Sequence, residues 1–286
     1  MTAEVWQTLG GVAPGALTDA RLQLHYAAQV VSAVGASLLE PQPDDSHPNL
    51  GWSEELGGLT GHHVPGARSF RAALQFAELR LLLLDGNGQT LAEFPLDGRS
   101  LDAAMHWLSS AIEANGTALP ADGIRRPPYE LPDHPVATGA SFSHSAENAY
   151  AELARWYANA GGALAKLVSH IDGASTVRCW PHHFDIATLV VLERTAEGDM
   201  AKTVGIGLSP GDSSYDEPYW YVSPWPAPDA EILPPLDVAG RWHTEGFTAA
   251  VLTGSELTAD GSASQSEKLD NFLDRAFAAS RLLLTD

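Results

Sequence analysis

The densest group of side chains that could do chemistry lies at residues 179–185, Cys-Trp-Pro-His-His-Phe-Asp. Alternate side chains of a β-strand share a face, so a strand here would point His183 and Asp185 the same way. An imidazole and a carboxylate so placed could supply two ligands to a divalent metal such as zinc, or form an acid/base pair. His243, on a neighbouring predicted strand, is the best third donor. His183, Asp185 and His243 are therefore the candidate catalytic residues and metal ligands; the alternative is that they are structural polar residues at a strand end.

A second candidate is a concentration of aromatic residues in the C-terminal half. Tyr219 and Tyr221 share a face of one predicted strand, and Trp180 and Trp225 lie on or beside predicted strands of the same half. Roofed by the proline-rich stretch 224–235, such a face could line an apolar pocket for a small organic ligand. Packing in the hydrophobic core explains the same cluster equally well, so both interpretations stand.

A third candidate is the pair His25 and Gln29 on the first predicted helix. Their spacing of four residues places them on one helix face, where they could reach into a ligand pocket between helix and sheet. A histidine at such a position is more often a partly buried residue bonded to a backbone carbonyl, and we favour that interpretation. A further adjacent histidine pair at 62–63 is weak evidence in a chain with 11 histidines.

The glycine-rich stretch 205–212, Gly-Ile-Gly-Leu-Ser-Pro-Gly-Asp, follows a predicted strand but does not match a dinucleotide-binding loop. Such a loop needs a helix to begin beside it, so that the helix N-terminus meets the pyrophosphate. Here Pro210 and the polar residues after Gly211 predict a turn into another strand. Since Walker A, G-x-S-x-G and H-E-x-x-H motifs are also missing from the sequence, no motif assigns an enzyme class.

The candidate residues are predicted to lie on helices and antiparallel strands. A helix follows Thr18 and ends before Pro41, and Asp-Gly-Asn-Gly at 85–88 predicts a hairpin turn. Hydrophobic spacing and capping residues predict the other elements: strands at 69–76, 78–84 and 89–95, helices after Ser100 and Ser145, strands at 176–193, 202–208, 217–223 and 241–252, and a last helix opened by a capping box at 264–267. The pattern predicts an α+β fold with one or two antiparallel sheets and helices packed on them.

Proline content divides these elements into two halves. Residues 118–143 contain five prolines, which fit neither helix nor sheet, so this segment is predicted to be a linker. Residues 1–117 and 144–286 each read as helix, strands, helix, which predicts two similar halves produced by internal duplication. Because this order of elements is common and the halves share little identity, an origin without duplication is the alternative.

Charge and composition exclude several classes of partner. The chain has 36 acidic and 16 basic residues, a net charge of −20 that opposes binding to nucleic acids and to anionic membranes. With one cysteine, Cys179, no intrachain disulfide can form. No signal-peptide pattern and no membrane-spanning apolar run is present, so we expect a cytoplasmic protein; the sequence does not fix its oligomeric state.

Several short motifs together resemble a family of uncharacterised bacterial proteins, a domain of unknown function. These motifs are Leu24-His25 followed by Gln29, the strand entry Arg68-Ser69-Phe70, the His183-Phe184-Asp185-Ile186-Ala187 strand, Glu217-Pro218-Tyr219-Trp220-Tyr221, and the closing amphipathic helix. The resemblance covers most of the chain and implies a fold but no reaction. Gly-Ser often replaces the His182-His183 pair in those proteins, which implies that a histidine ligand there is not a requirement of the family.

Three classes of function are compatible with these residues. The first is a small-molecule binding protein with an aromatic-lined pocket in the C-terminal half. The second is an enzyme that uses His183, Asp185 and His243, with or without a divalent metal. The third is a structural or interaction protein. We rank them in that order.

Overall fold

A computed structural model describes residues 6–66 and 68–285. The helices are α1 (Thr18–Leu38), α2 (Leu101–Ala114), α3 (Glu147–Val168), α4 (Gly254–Thr258) and α5 (Gln265–Leu283). The first five strands are β1 (Gly51–Ser53), β2 (Gly58–Thr60), β3 (Phe70–Gln75), β4 (Arg80–Asp85) and β5 (Thr90–Pro95). The other six are β6 (Arg178–Trp180), β7 (Asp185–Arg194), β8 (Met200–Ser209), β9 (Tyr219–Trp225), β10 (Arg241–His243) and β11 (Ala249–Thr253).

The strands form two antiparallel sheets with the orders β1-β2-β3-β4-β5 and β10-β11-β9-β8-β7-β6. The predicted hairpin joins β4 to β5: Asp85 Oδ1 accepts the N–H groups of Asn87 and Gln89 at 2.8 Å each, and Gly88 adopts φ +85°. The predicted α+β class with antiparallel sheets is confirmed, whereas internal duplication stays a prediction. Within the described ranges, no helix is long and apolar enough to cross a membrane.

The chain divides into two compact units. The N-terminal unit comprises Leu17–Ala154 and Arg178–Phe184, and the C-terminal unit comprises Met1–Ala16, Arg155–Val177 and Asp185–Asp286. The segment 118–143, predicted as a linker, lies entirely inside the N-terminal unit. The predicted boundaries at 117 and 143 therefore do not coincide with the edges of the compact units.

Helix α1 is the centre of the N-terminal unit, because 15 of its 21 residues are buried. Its polar side chains hold the proline-rich segment 118–143 against it. Tyr26 donates its hydroxyl hydrogen to the Pro132 carbonyl at 2.7 Å, and Ser37 Oγ accepts the Arg125 N–H at 2.9 Å. Val136 of this segment is 1% exposed. The prolines therefore belong to an ordered segment whose backbone groups bond to α1 instead of to a sheet.

The C-terminal unit buries one face of its sheet along the central strands. Residues of this face, which are Val204, Ile206, Leu208, Trp220, Val222, Ala250 and Leu252, are 0% exposed. Helix α5 adds the buried side chains of Leu269 and Phe272 to the core. The predicted capping box at its start is not formed, because a 3-10 turn runs directly into α5 and Ser264 has helical backbone angles and makes no side-chain cap.

Candidate functional site

The His-His-Phe-Asp segment is a turn, which contradicts the strand predicted across it. Strand β6 ends at Trp180 and β7 begins at Asp185, while Phe184 adopts a left-handed φ of +58°. Pro181 has no N–H to donate to a strand neighbour, which accounts for the interruption. His183 and Asp185 are therefore not alternate residues of one strand, and the geometric reason for pairing them is wrong.

Asp185 and His243 lie on the same face of the C-terminal sheet, but they do not converge. His243 pairs with Ala249, which is on the same face of β11 as Val251. Across the next strands Val251 pairs with Tyr221, Tyr221 with Gly207, and Gly207 with Ala187, which shares the face of Asp185. Strands β11, β9 and β8 separate β10 from β7. Four spacings of about 4.8 Å put the two backbones roughly 19 Å apart. The three-residue site predicted from the sequence is therefore not formed.

The ring nitrogens of His243 are already occupied within the C-terminal unit. Nε2 lies 2.7 Å from the Glu245 carbonyl, which can only accept, so this nitrogen carries a proton and donates it. Nδ1 then accepts the hydroxyl hydrogen of Tyr215 at 2.9 Å. Across the residues the structure describes, no group of three or more His, Cys, Asp or Glu side chains is placed to hold a metal ion. The predicted use of His183, Asp185 and His243 as metal ligands thus has no geometric support.

His25 and Gln29 anchor the turn at 181–184 inside the N-terminal unit. Both side chains donate to the Pro181 carbonyl, from His25 Nε2 at 2.8 Å and from Gln29 Nε2 at 2.7 Å. The His25 ring also stacks on Phe184, with centroids 5.1 Å apart. Burial lowers the pKa of His25 to about 4 and keeps the ring neutral. This is the backbone-bonded arrangement that the sequence favoured for His25.

The predicted ligand-binding residues fall in different units. Trp180, like His25 and Gln29, belongs to the N-terminal unit, whereas Tyr219, Tyr221 and Trp225 belong to the C-terminal unit. Trp225 is 61% exposed and Tyr219 is 5% exposed. By strand register Trp225 lies on the face shared by Asp185 and His243. The other aromatic rings of this face contact one another, and we call the surface around them the tyrosine face. It comprises Asp185, Gly205, Gly207, Asp212, Tyr215, Tyr219, Tyr221, His243 and Phe247.

The side chain of Tyr221 crosses the central strand of the tyrosine face. It starts on β9, passes over Gly207 of β8, and donates its hydroxyl hydrogen to Asp185 Oδ2 on β7 at 2.5 Å. A β-carbon at Gly207 would lie 2.7 Å from the Tyr221 hydroxyl oxygen, so only glycine admits the ring there. At Gly205 the nearest atoms to an added β-carbon would be 3.9 Å away. The sheet therefore has room for a β-carbon at Gly205 beside a fixed aromatic ring, and we call this position the open floor.

Two further tyrosines of this face are fixed by hydrogen bonds. Tyr219 donates its hydroxyl hydrogen to Asp212 Oδ2 at 2.6 Å, and Asp212 Oδ1 accepts the Tyr215 N–H at 3.1 Å. Burial, followed by the bond to Asp212, raises the pKa of Tyr219. The ring of Tyr215 packs on that of Tyr219 with centroids 4.8 Å apart, and its hydroxyl is held by His243. Tyr219 therefore stays a protonated donor at neutral pH.

Sequence reasoning missed the glycine pair and Asp212 as parts of this surface. From the sequence, the stretch 205–212 is interpreted only as a turn that does not match a dinucleotide-binding loop. The usable signal was Gly-Ile-Gly on one strand followed by Tyr-Trp-Tyr on the next, because a glycine opposite an aromatic residue lets the ring lie across the sheet. Recognising it requires the β8–β9 register, in which Gly207 pairs with Tyr221.

Comparison with known proteins gives no match to a family model, a curated protein or a solved structure. The resemblance to a bacterial family noted in the sequence therefore stays a prediction.

Proposed function

We propose that this protein binds a small, uncharged organic molecule on the tyrosine face of its C-terminal unit. The observation that carries the proposal is the placement of Tyr221, whose ring is held across Gly207 by the bond to Asp185, beside the open floor at Gly205. A ring fixed before the ligand arrives loses little conformational entropy on binding. The half-buried state of Tyr221 leaves part of its apolar surface available to a ligand.

The polar groups of this face indicate what kind of ligand suits it. Asp212 is exposed, and its carboxylate oxygens keep lone pairs beyond those that accept from Tyr215 and Tyr219, so it favours a ligand that carries O–H or N–H donors. The faces of aromatic rings are slightly negative and attract C–H groups, which favours a ring with a flat C–H surface. The net charge of −20 disfavours anionic ligands, and we extend this to nucleic acids. A polyhydroxylated ring combines these properties.

Cytoplasmic location is part of this proposal. Cys179 is fully buried in the N-terminal unit and is not part of a disulfide, a state that a reducing compartment preserves.

The proposal is tested by ligand-observed NMR on the purified protein, with neutral cyclic polyols such as glucose and inositol as probes. We expect saturation transfer to at least one probe with the wild type and its loss in Gly205→Leu, which fills the open floor. Ser266→Leu is the matched control, since it adds the same side chain at an exposed position of α5. Equal transfer in wild type and Gly205→Leu would overturn the proposal, as would no transfer from any probe.

A further inference from the structure

The first described residues, 6–10, belong to the C-terminal unit and have no regular secondary structure. Two buried carboxamides hold this segment. Asn159 on α3 is 5% exposed, and Gln265, the first residue of α5, is 1% exposed. Neither side chain belongs to the tyrosine face, so their burial needs a separate explanation.

Each carboxamide bonds both backbone polar groups of one residue in the segment. Asn159 Oδ1 accepts the Gln7 N–H at 2.9 Å, and Asn159 Nδ2 donates to the Gln7 carbonyl at 2.8 Å. Gln265 Oε1 likewise accepts the Leu9 N–H, and Gln265 Nε2 donates to the Leu9 carbonyl, both at 3.0 Å. In an extended chain the polar groups of residues i and i+2 point to the same side. The two side chains therefore replace a neighbouring β-strand.

The segment is held mainly through its backbone groups, and two of its side chains add to the contact. Leu9 is 4% exposed, and the Trp6 indole N–H donates to Gln265 Oε1 at 3.2 Å. Gln7 and Thr8 are exposed, so their side chains are not selected. The chemical pattern that this pair of carboxamides recognises is thus an extended Trp-x-x-Leu peptide.

A hinge follows the segment immediately. Gly10 has φ +96°, a conformation that favours glycine, and Gly11 comes next, before the short 3-10 helix Pro14–Leu17. Residues 6–18 carry no charged side chain, so transfer of this segment to another acidic molecule adds no charge to the contact. Release of the segment requires new backbone angles at Gly10 or Gly11 and breaks the four hydrogen bonds to Asn159 and Gln265.

We propose that Asn159 and Gln265 form a binding site for an extended Trp-x-x-Leu peptide, and that residues 6–9 of a second copy of this chain can replace the resident segment. The contacts are identical whether the segment comes from the same chain or from another, because they involve backbone groups and two side chains. The resident segment has the advantage of a high effective concentration, of millimolar order, so exchange requires concentrated protein or a weakened resident.

The test uses the full-length chain with Leu9→Ser, which removes the buried leucine of the resident segment. The probe is a fluorescent peptide with the sequence of residues 4–12, and its binding is measured by anisotropy. We expect saturable binding at least about tenfold tighter than to wild type or to Thr8→Ser, a control that changes only an exposed side chain. Methylating the peptide nitrogens at positions 7 and 9 removes both donors to the carboxamides and should weaken binding by about tenfold or more.

Absence of peptide binding to Leu9→Ser, or equal affinity for the methylated peptide, would overturn the proposal. Hydrogen exchange of the wild type gives a measurement that needs no variant. The amides of Gln7 and Leu9 should exchange faster than those of β9, because release of the segment precedes unfolding; equal rates would contradict a releasable segment. Wild-type protein at about 1 mM should also contain a dimer that excess peptide dissociates. Monomer alone at that concentration would rule out a second copy as the source.

Discussion

The turn at 181–184 in the N-terminal unit and the tyrosine face in the C-terminal unit both contain aromatic and hydrogen-bonding side chains, but they differ in how far the chain itself covers them. At the turn, His25 and Gln29 are 4% and 1% exposed, and both donate to one backbone carbonyl. On the tyrosine face, Tyr221 is only half-buried, and its hydrogen bond to Asp185 fixes a ring beside Gly205, where an added β-carbon would meet no atom closer than 3.9 Å. One arrangement is closed by the chain itself, and the other leaves surface for a ligand.

The difference teaches that reactive residue types do not by themselves mark a functional site. The histidine-rich segment attracts attention in the sequence, yet the hydrogen-bonding atoms that hold its turn are bonded within the fold. The tyrosine face has glycines as its decisive residues, which carry no chemistry of their own. What distinguishes Tyr221 from the side chains that anchor the turn is ring exposure, because the His25 ring is 4% exposed whereas that of Tyr221 is half-buried.

The largest expected effect is at the closed region. His25→Ala should lower the free energy of unfolding by about 3 to 4 kcal/mol, because it removes a buried hydrogen bond and leaves a cavity where the ring stacked on Phe184. Urea denaturation measures this, with the exposed His63→Ala as control. A loss below about 1 kcal/mol for His25→Ala would mean that the turn is not held as described.

A pH titration of stability addresses the same region. The pKa of His25 is about 4 in the folded protein, and its ordinary value of 6.5 applies in the unfolded chain. Between pH 4 and pH 6.5 the unfolded chain therefore binds more protons than the folded protein. Stability from this group is complete above pH 6.5 and falls by up to about 3 kcal/mol as pH drops to 4. His25→Gln keeps a donor but cannot titrate, so the variant should show a shallower loss over that window. Parallel curves for the two proteins would contradict the assignment.

On the tyrosine face the two glycines should respond differently to the same change. Gly207→Ala places a β-carbon 2.7 Å from the Tyr221 hydroxyl and 2.8 Å from a backbone oxygen, which should cost about 2 kcal/mol. Gly205→Ala meets nothing closer than 3.9 Å and should change stability by no more than about 0.5 kcal/mol. Thermal unfolding of both variants checks the difference, and equal losses would show that the floor at Gly205 is not open.

Tyr221→Phe should have a smaller effect than Gly207→Ala. Loss of the hydroxyl removes the donor to Asp185 and should cost about 1 kcal/mol while the ring stays over Gly207. Urea denaturation measures the cost, and ligand-observed NMR shows whether the ring alone suffices for binding. A larger loss than in Gly207→Ala would mean that the hydrogen bond, and not the fit over glycine, determines the position of the ring.

Local signals in the sequence predicted the elements that depend on neighbouring residues. The Asp-Gly-Asn-Gly turn at 85–88 forms because Asp85 bonds residues two and four positions further along the chain. The spacing of Leu269, Phe272 and Leu273 gives the buried stripe of α5 as predicted. Such features need no knowledge of distant parts of the chain.

Features that depend on residues far apart in the sequence were harder to predict from residue spacing. The strand through His183 failed because Pro181 interrupts it, and a local rule could have shown this. The separation of His243 from Asp185 depends on β11, β9 and β8 lying between them, an order that residue spacing does not encode. The Asn159 and Gln265 carboxamides bond residues 152 and 256 positions away, so no local pattern connects them to the N-terminal segment.

The most direct test of the tyrosine face as the binding surface is a two-dimensional NMR screen of the wild type with uncharged ring-containing fragments. Binding surfaces collect fragments regardless of the natural ligand, because they offer rigid apolar area with unused polar atoms. We predict that the fragments that bind shift the amide of Gly205 and the ring of Tyr221, and leave His25 unchanged. Fragments that cluster at the turn 181–184, or that spread evenly over the surface, would contradict the account.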